Sequence, residues 1–463
     1  MHVKLILPYL VEAEKPIWLP IKYSLFPPLG LATLASYLSS DDHVELVDQH
    51  VQQLNLDDTP DLVVIQVYIT NAYRSYKIAD DYRKKGVYVV LGGLHVTSIP
   101  LEAMPHADSI FLGPGEDTFP KFKDDFRAKK PLKVYNSFTR TLVGSPLIRR
   151  DLIDRSKYLV PNSMVVSRGC PHHCVFCYKD TFYKGGKTFY TQEVDDALNE
   201  LDWLPGRHLY FLDDHLLGNA KFATQLFDGL KGMNRVFQGA ATIDSILRGD
   251  LIEKAAEAGL RSLFVGFETF SPKNLKQSNK KQNLHKSYKD ETDRLHDLGI
   301  MINGSFVFGL DDDGPDVFKR TVDWAVENGV TTSTYHVLTP YPGTKLYKQM
   351  ELEKRLTTSN WDLYDTRSAV YTPKKITAQQ PKKGYDWSYK SFYSWSNIYK
   401  ASMYHDKIKH VIKHFAYAGG WNKFEPLWNF LIKSKSLSNM LPVLEAILSK
   451  VKPAKDESNQ LVF

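Results

Sequence analysis

The chain has 463 residues, of which 43% are hydrophobic and 24% are charged, and its formal net charge is +6. This length predicts two or three domains with sizeable cores. The small charge excess and the scattered lysines do not indicate a nucleic-acid binder, and the apolar runs fall short of the roughly 18 residues that span a membrane.

The first part of the chain alternates short apolar runs with segments of helical spacing. Predicted strands cover residues 3–7, 44–47, 62–67, 87–91 and 109–112, and predicted helices cover 29–38 and 72–85. The first ten residues are typical of a strand rather than a secretion signal. The alternation predicts an α/β domain with a doubly wound parallel sheet over residues 1–130.

Two glycine-bearing loops follow predicted strands of this domain. Their sequences are Gly92-Gly93-Leu94-His95-Val96-Thr97 and Gly113-Pro114-Gly115-Glu116. Ligands of doubly wound sheets bind beyond the carboxyl ends of the strands, and glycine lets a large ligand approach the backbone. The loops therefore indicate a ligand site, with tight turns alone as the alternative.

The segment that follows is basic and rich in turn residues. We expect residues 131–160 to be a linker between domains. Within this segment, Arg149, Arg150 and Asp151 are expected to form a solvated face.

All three cysteines of the chain, Cys170, Cys174 and Cys177, lie within eight residues. Three thiolates so close in sequence can converge on one metal centre, whereas packing cysteines would be scattered. An iron–sulfur cluster is held by thiolates. A structural zinc site closed by His172 or His173 is the alternative. Because a disulfide would consume a ligand, we expect a cytoplasmic protein.

Strands and helices alternate again from residue 164, over a longer repeat. Predicted strands cover residues 164–166, 208–212, 235–240, 263–267, 301–308 and 334–338. Most are followed by polar residues, among them Asp213, Asp214 and Glu268. Barrel enzymes place their chemistry at the carboxyl ends of the strands, so we expect a parallel β/α barrel over residues 161–365 with its site there.

The last part of the chain, residues 366–463, is predicted to be helical and is both aromatic and basic. Helical spacing of Tyr389, Phe392 and Tyr393 favours packing against the barrel. An aromatic lid over a hydrophobic substrate or a peripheral membrane contact is the alternative. A further helix is predicted over residues 441–448, after the aromatic residues Phe424 and Trp428.

The cysteine spacing resembles the radical S-adenosylmethionine (radical SAM) superfamily, whose signature is Cys-x3-Cys-x-aromatic-Cys, with Phe176 at the aromatic position. The resemblance implies a partial (β/α)6 TIM-like barrel, a 4Fe-4S cluster on the three cysteines and SAM on the open iron. One electron from the cluster cleaves SAM to a 5′-deoxyadenosyl radical in that family. An electron donor such as flavodoxin or ferredoxin is implied as well.

The resemblance also implies SAM-binding positions around the barrel mouth. They follow the strands of the barrel or lie in them, and a cationic sulfonium favours nearby carboxylates. The implied SAM contacts are Phe176, Asp213, Asp214, Gln238, Glu268 and Gly309. No residue is assigned a proton-transfer role.

The glycine loops, together with an early Pro-Pro-Leu-Gly, resemble the cobalamin-binding domain of one large radical SAM class. The resemblance implies contacts to the corrin or its nucleotide tail from Pro28, Leu29, Gly30, Gly92, Gly93, His95, Thr97, Gly113, Gly115 and Glu116. The sequence lacks the Asp-x-His-x-x-Gly motif whose histidine binds cobalt in other cobalamin proteins. A cobalamin bound without a histidine ligand and a domain that binds no cobalamin therefore remain open.

Together these resemblances predict a cobalamin-dependent radical SAM enzyme that methylates an unactivated carbon of a small-molecule, lipid or natural-product substrate. The first alternative is a radical cyclisation, rearrangement or carbon–carbon coupling without methyl transfer. A zinc-stabilised binding protein without catalysis is the alternative from a different class.

Overall fold

A computed structural model describes residues 1–13, 25–284 and 288–423. Its α/β architecture of two parallel six-stranded sheets followed by helices confirms the predicted fold class. No helix within the described ranges is long and apolar enough to cross a membrane.

The first sheet is built from the amino-terminal part of the chain. Its strands are β1 (His2–Leu7), β2 (His43–Asp48), β3 (Leu62–Gln66), β4 (Tyr88–Gly92), β5 (Ser109–Leu112) and β6 (Val134–Asn136). Their spatial order is β2-β1-β3-β4-β5-β6, and every neighbouring pair is parallel. All carboxyl ends therefore meet at one edge, where ligands of such sheets bind.

Five helices accompany the first sheet. They are α1 (Leu29–Ala35), α2 (Ala72–Lys84), α3 (Leu94–Ser98), α4 (Pro100–Ala103) and α5 (Phe119–Arg127). Apolar side chains from the helices cover both faces of the sheet, as a doubly wound fold requires. Val63 and Ile65 pack in one core, while Leu62 and Val64 pack in another.

The remaining strands form an open second sheet and a small hairpin. In chain order they are β7 (Ser163–Met164), β8 (Ser167–Gly169), β9 (Phe189–Thr191), β10 (His208–Phe211), β11 (Val236–Thr242), β12 (Leu260–Glu268), β13 (Met301–Phe308) and β14 (Thr332–Val337). The second sheet has the order β14-β13-β12-β11-β10-β7, and β8 pairs antiparallel with β9. Six parallel strands in sequential order form the partial barrel expected from the sequence.

The helices of the barrel alternate with its strands. They are α6 (Lys179–Phe182), α7 (Val194–Trp203), α8 (Ala220–Leu230), α9 (Leu251–Ala258), α10 (Pro272–Gln277), α11 (Lys289–Asp297), α12 (Val317–Glu327) and α13 (Lys345–Leu352). Buried side chains of these helices, such as Leu226 and Val322, join the strands in one large hydrophobic core.

Three further helices, α14 (Gln380–Phe392), α15 (Trp395–Ser402) and α16 (Ile408–Lys423), complete the described chain. Phe392 and Tyr393 are buried in the barrel core, and the Tyr393 hydroxyl lies 3.0 Å from both the backbone nitrogen and the oxygen of Ser333. These two aromatic residues are therefore packing residues. Phe424, Pro426, Trp428 and the helix predicted over residues 441–448 lie outside the described residues.

The basic segment after the first sheet contributes more structure than a linker would. Strand β6 extends the first sheet by pairing with β5. Arg150 donates to Glu200 Oε1 at 2.6 Å and to the Ser163 carbonyl at 2.8 Å, so it binds the barrel rather than lying on a solvated face. Arg149 and Asp151 pair with each other at 2.8 Å on the surface, in agreement with the expected solvated face.

Candidate functional site

The cysteine loop begins at Gly169, the last residue of β8. Gly169 has a φ of +77°, and a Cβ atom there would lie 2.1 Å from the Thr188 carbonyl oxygen, so only glycine fits. The Cys170 amide donates to that carbonyl at 3.1 Å. The antiparallel pair β8–β9 thus sets the start of the loop.

Backbone contacts with the barrel loops hold the rest of the cysteine loop. The Val175 amide donates to the Ser278 carbonyl at 3.0 Å, and the Val175 carbonyl accepts from the Leu346 amide at 3.1 Å. Asn279 Nδ2 donates to the His173 carbonyl at 2.7 Å. The loop is therefore braced by the segments after β12 and β14 before any metal binds.

The three thiols suit a cationic metal centre. Burial raises the pKa of Cys170 to about 11 and that of Cys177 to about 12, and it also raises the pKa of Cys174. Without a metal the thiols are therefore protonated at neutral pH. Metal coordination reverses this preference, because a bound cation deprotonates a coordinating thiol.

The zinc alternative finds less support in this loop. His173 Nδ1 lies 2.8 Å from Asp180 Oδ1, and His172 Nε2 lies 3.6 Å from Asp244 Oδ1, so both histidines have carboxylate partners. A single zinc ion would hold its sulfur ligands about 4 Å apart. Among the described residues, one group of three potential metal ligands has its ligand atoms within 4.8 Å of one another. That group is His2, Glu45 and Asp58, and it does not include the cysteines. The donor set favours a multi-iron cluster.

Asp213 and Asp214, which follow β10, both bind the strand that leads into the cysteine loop. Asp213 accepts hydrogen bonds from the backbone and the hydroxyl of Ser167. Burial raises the pKa of Asp213 to about 7 despite these bonds. Asp214 accepts from the Gly169 amide at 3.1 Å and from the Tyr178 hydroxyl at 2.8 Å. The two carboxylates therefore position the cysteine loop, and their contacts to SAM stay predictions.

Glu268 ends β12 at an irregular point of the sheet. The strand register shifts between Gly266 and Glu268, and the φ of Glu268 is +65°, an unfavourable value for a residue with a side chain. Its Oε1 forms an ion pair with the buried Lys280 ammonium, which also donates to the Gly266 carbonyl at 3.1 Å. Such strain is retained mostly at functional sites.

The remaining three predicted SAM residues differ in position. Phe176 packs in a small apolar cluster with Leu310 and Leu338 at the ends of β13 and β14. Gly309, directly after β13, has a φ of +90°, and its carbonyl accepts a hydrogen bond from the Tyr371 hydroxyl. Gln238 lies in the first half of β11 and pairs with His208 at 2.9 Å. Gln238 therefore lies within its strand, as expected from the sequence, and its contact to SAM stays a prediction.

Glycines from the first sheet line a cavity of about 140 Å³ at the carboxyl ends of its strands. The lining includes Gly30, Gly92, Gly93, Gly113, Gly115, Glu116 and Arg168. A Cβ atom on Gly93, whose φ is +119°, would lie 2.7 Å from the Val67 carbonyl oxygen. The Thr97 hydroxyl accepts from the Gly113 amide at 3.0 Å and donates to the Gly93 carbonyl at 2.8 Å, which ties the two glycine loops together.

The other predicted cobalamin residues lie around this cavity or away from it. Pro28 precedes α1, and Leu29 is a buried residue of the first-sheet core. Glu116 Oε1 accepts from Arg168 at 2.5 Å. His95 belongs to a second, larger cavity, so the structure divides the predicted set between two spaces.

The larger cavity, of about 340 Å³, lies between the first sheet and the barrel. Its walls come from the loops after β3 and β4, the cysteine loop, the loop after β14 and the segment after α13. They include Leu10, Tyr68, Thr70, Leu94, His95, Tyr178, Tyr341, Pro342, Tyr364 and Asp365. A molecule in this cavity would touch both halves of the protein.

Glu102 joins these halves and was missed by the sequence analysis. Its carboxylate accepts from His95 Nε2 at 3.0 Å, from the Tyr76 hydroxyl at 3.0 Å and from Trp361 Nε1 at 2.9 Å. Burial acts to raise the pKa of Glu102, but the hydrogen bonds from His95, Trp361 and Tyr76 lower it on balance. Trp361 lies 259 residues after Glu102 in the sequence, so no local pattern predicts their contact.

Two family models match this chain, each on one of the two sheets. Residues 164–343 match the radical SAM superfamily, and residues 23–123 match the B12 binding domain. The first match contains the cysteine loop, and the second contains the glycine loops.

Curated relatives and a solved structure extend the similarity to most of the chain. Bacteriochlorophyllide d C-12(1)-methyltransferase of Chlorobaculum tepidum is 28% identical over 76% of this chain and 79% of its own length. The C-8(2)-methyltransferase of the same organism is 27% identical over 90% and 97%. The radical SAM methyltransferase TsrM from Kitasatospora setae has a similar fold, with a TM-score of 0.66 over 92% of this chain and 98% of its own at 13% identity.

The family assignment agrees with the donor sets described above: three thiols on one braced loop, and glycine-lined space at the carboxyl edge of the first sheet. The cofactors are a 4Fe-4S cluster, SAM and cobalamin. The chain belongs to the radical SAM superfamily and is a radical SAM enzyme with a B12 binding domain.

Proposed function

We propose that this enzyme transfers a methyl group to an unactivated carbon of an apolar small molecule. The observation that carries the proposal is the cavity of about 340 Å³, which touches both the cysteine loop, through Tyr178, and the first-sheet loop that bears Leu94 and His95. A substrate held there would lie between the two cofactor-binding halves. Holding reactants together in this way supplies much of a catalytic rate enhancement.

Cys170, Cys174 and Cys177 are the proposed cluster ligands. Glu268, at the strained end of β12, is the proposed contact to the cationic part of SAM, and Gly309 and the Phe176 backbone are proposed to lie along its nucleoside. Asp213 and Asp214 act indirectly by holding β8 and the loop. When bound, the reduced cluster supplies the electron that cleaves SAM, and cobalamin carries the methyl group to be transferred.

The glycine-lined cavity is the proposed site of part of the cobalamin. Gly92, Gly93, Gly113 and Gly115 line this space, and Thr97 fixes the spacing of their loops. Residues 1–130, extended by strand β6, would form the cobalamin domain, and residues 161–365 would form the radical SAM barrel. The described helices of residues 366–423 pack on the barrel.

The walls of the larger cavity favour an extended apolar substrate. Tyr68, Tyr178, Tyr341 and Tyr364 line it together with Ile69 and Leu94. Aromatic side chains offer broad apolar contact and a polar tip that fixes orientation. Two relatives are methyltransferases of bacteriochlorophyllide d, and we propose a substrate of that class for this lining.

The protein's own contribution is orientation and the exclusion of water from the cavity. The radical chemistry does not require a general base from the chain. The enzyme does need a one-electron donor, for which we propose flavodoxin or ferredoxin. Because both the thiolate ligands and the reduced cluster need a reducing compartment, we propose that the enzyme works in the cytoplasm.

The test is an anaerobic turnover assay with SAM that carries a deuterated methyl group, using apolar metabolite fractions as substrate. Methyl transfer predicts equal amounts of 5′-deoxyadenosine and S-adenosylhomocysteine and a product in which one deuterated methyl group replaces a hydrogen atom. If 5′-deoxyadenosine forms with a product that carries no label, the enzyme performs a radical cyclisation, rearrangement or coupling instead. A Cys177→Ala variant, which lacks a cluster ligand, controls for SAM breakdown that does not depend on the enzyme.

A further inference from the structure

Helices α15 and α16 expose two stripes of large apolar side chains. Trp395, Tyr399 and Met403 recur every four residues along α15 and its carboxyl end, and all three are exposed. On α16, Ile408 and Ile412 are 71% and 62% exposed. Residues four apart lie on the same face of a helix, so each helix presents one apolar stripe outward.

Helices α15 and α16 pack against each other beside the two stripes. The ring of Trp395 stacks on that of Phe415, with centroids 5.5 Å apart and an interplanar angle of 26°. Phe415 lies one helical turn after Ile412. We call Trp395, Tyr399, Met403, Ile408 and Ile412 the apolar ridge. Single exposed apolar side chains are ordinary, but a continuous group of them marks an interaction surface.

The surroundings of the apolar ridge are basic. Lys400, Lys407 and Lys409 are exposed beside it, and Asp406 is the one acidic residue in the sequence from 395 to 412. A second copy of this chain docked face to face would bring these lysines together. An anionic surface would instead attract them, by roughly 1 kcal/mol for each lysine near an anionic membrane.

We propose that the apolar ridge and its three lysines dock the enzyme on the surface of an anionic lipid bilayer. The combination of exposed Trp, Tyr and Ile side chains with flanking lysines is the chemistry of helices that lie in the plane of a membrane interface. The contact would be peripheral, with the ridge inserted among the headgroups and the lysines paired with lipid phosphates. This proposal does not depend on which reaction the enzyme catalyses.

The test is cosedimentation of the full-length, cofactor-loaded enzyme with lipid vesicles. One set of vesicles contains phosphatidylcholine alone, and the other contains phosphatidylcholine with phosphatidylglycerol. We expect binding to the anionic vesicles that weakens with added salt, because salt screens the lysine charges. The variant Ile408→Glu/Ile412→Glu should bind about tenfold more weakly. The variant Lys407→Gln/Lys409→Gln should lose affinity for anionic vesicles and most of the salt dependence.

A matched control comes from another exposed apolar residue. Leu352, at the end of α13, is 84% exposed and lies outside the apolar ridge. Leu352→Glu should therefore bind vesicles like the unmodified enzyme. Iron content and thermal midpoint, measured on every variant, show whether the fold is intact.

Three results would overturn the proposal. The first is absence of binding to anionic vesicles at low salt. The second is binding that Ile408→Glu/Ile412→Glu leaves unchanged while the fold is intact. The third is a dimer in sedimentation velocity that the same variant dissociates, which would assign the ridge to contact between two copies of this chain.

Discussion

Glu116 Oε1 lies 2.5 Å from Arg168 Nη2 in a largely buried ion pair that connects the first sheet to the β8–β9 hairpin. Glu116 ends the second glycine loop of the first sheet. Arg168 lies in β8, two residues before Cys170. The pair therefore links the proposed cobalamin site directly to the strand that starts the cluster loop.

Glu116→Gln should destabilise the enzyme. Removing the carboxylate leaves the Arg168 guanidinium partly buried without its ionic partner, which we expect to lower the free energy of unfolding by roughly 2 kcal/mol. Urea denaturation measures the change. Asp151→Asn breaks the exposed pair with Arg149 and should change the free energy by less than about 1 kcal/mol. Equal effects of the two substitutions would contradict the role given to Glu116.

Gly93→Ala should damage the first glycine loop. The added Cβ would lie 2.7 Å from the Val67 carbonyl oxygen, in a backbone conformation that already disfavours a side chain. We therefore expect the free energy of unfolding to fall by roughly 3 kcal/mol. We also expect weaker cobalamin uptake. Gly86→Ala is the matched control, because Gly86 also has a positive φ, +79°, but open space around it. We expect Gly86→Ala to lower the free energy of unfolding by about 1 kcal/mol. If both substitutions lowered it by similar amounts, crowding at Gly93 would be unimportant.

Glu102→Gln should weaken the contact between the first sheet and the segment after the barrel in a pH-dependent way. The folded-state pKa of Glu102 is lowered, so its ionised form stabilises the fold above the ordinary glutamate pKa of 4.5, and this stabilisation is lost as the pH falls through the folded-state value. Urea unfolding across acidic and neutral pH gives the free energy of unfolding of the unmodified enzyme and of Glu102→Gln. The difference between the two free energies should be largest near neutrality and should shrink in acid. A difference in free energy that does not vary with pH would refute this role. Glu257→Gln, at an exposed glutamate, serves as the control.

Glu268→Gln should weaken SAM binding without loss of the cluster. Its carboxylate is the proposed contact to the cationic part of SAM, and we expect the dissociation constant to rise about tenfold, which corresponds to one charge-assisted hydrogen bond. Equilibrium dialysis with SAM gives the constant, and iron content reports the cluster. If SAM affinity is unchanged while iron is retained, Glu268 serves only as the partner of Lys280.

The fold was largely predictable because its strands are apolar runs between polar turns. The predicted bounds of β5 and β13 agree with the structure to the residue. Strand β6 was missed because Val134–Asn136 is three residues long and depends on pairing with β5 at the sheet edge. No local pattern distinguishes such a strand from a basic linker.

The candidate site was predictable only where function lies within one short segment. The cysteine spacing and the glycine loops carry their chemistry locally. Gln238 lies inside β11, which runs from Val236 to Thr242, and its contact to SAM stays a prediction. The positioning role of Asp213 and the partners of Glu102 depend on contacts across the fold, which spacing along the chain cannot reveal.

The iron and cobalt content of the enzyme, purified anaerobically and reconstituted with iron, sulfide and hydroxocobalamin, tests cobalamin-dependent methyl transfer most directly. We expect about four irons and about one cobalt per chain. About four irons with no cobalt would make the first sheet a scaffold and contradict cobalamin-dependent methyl transfer.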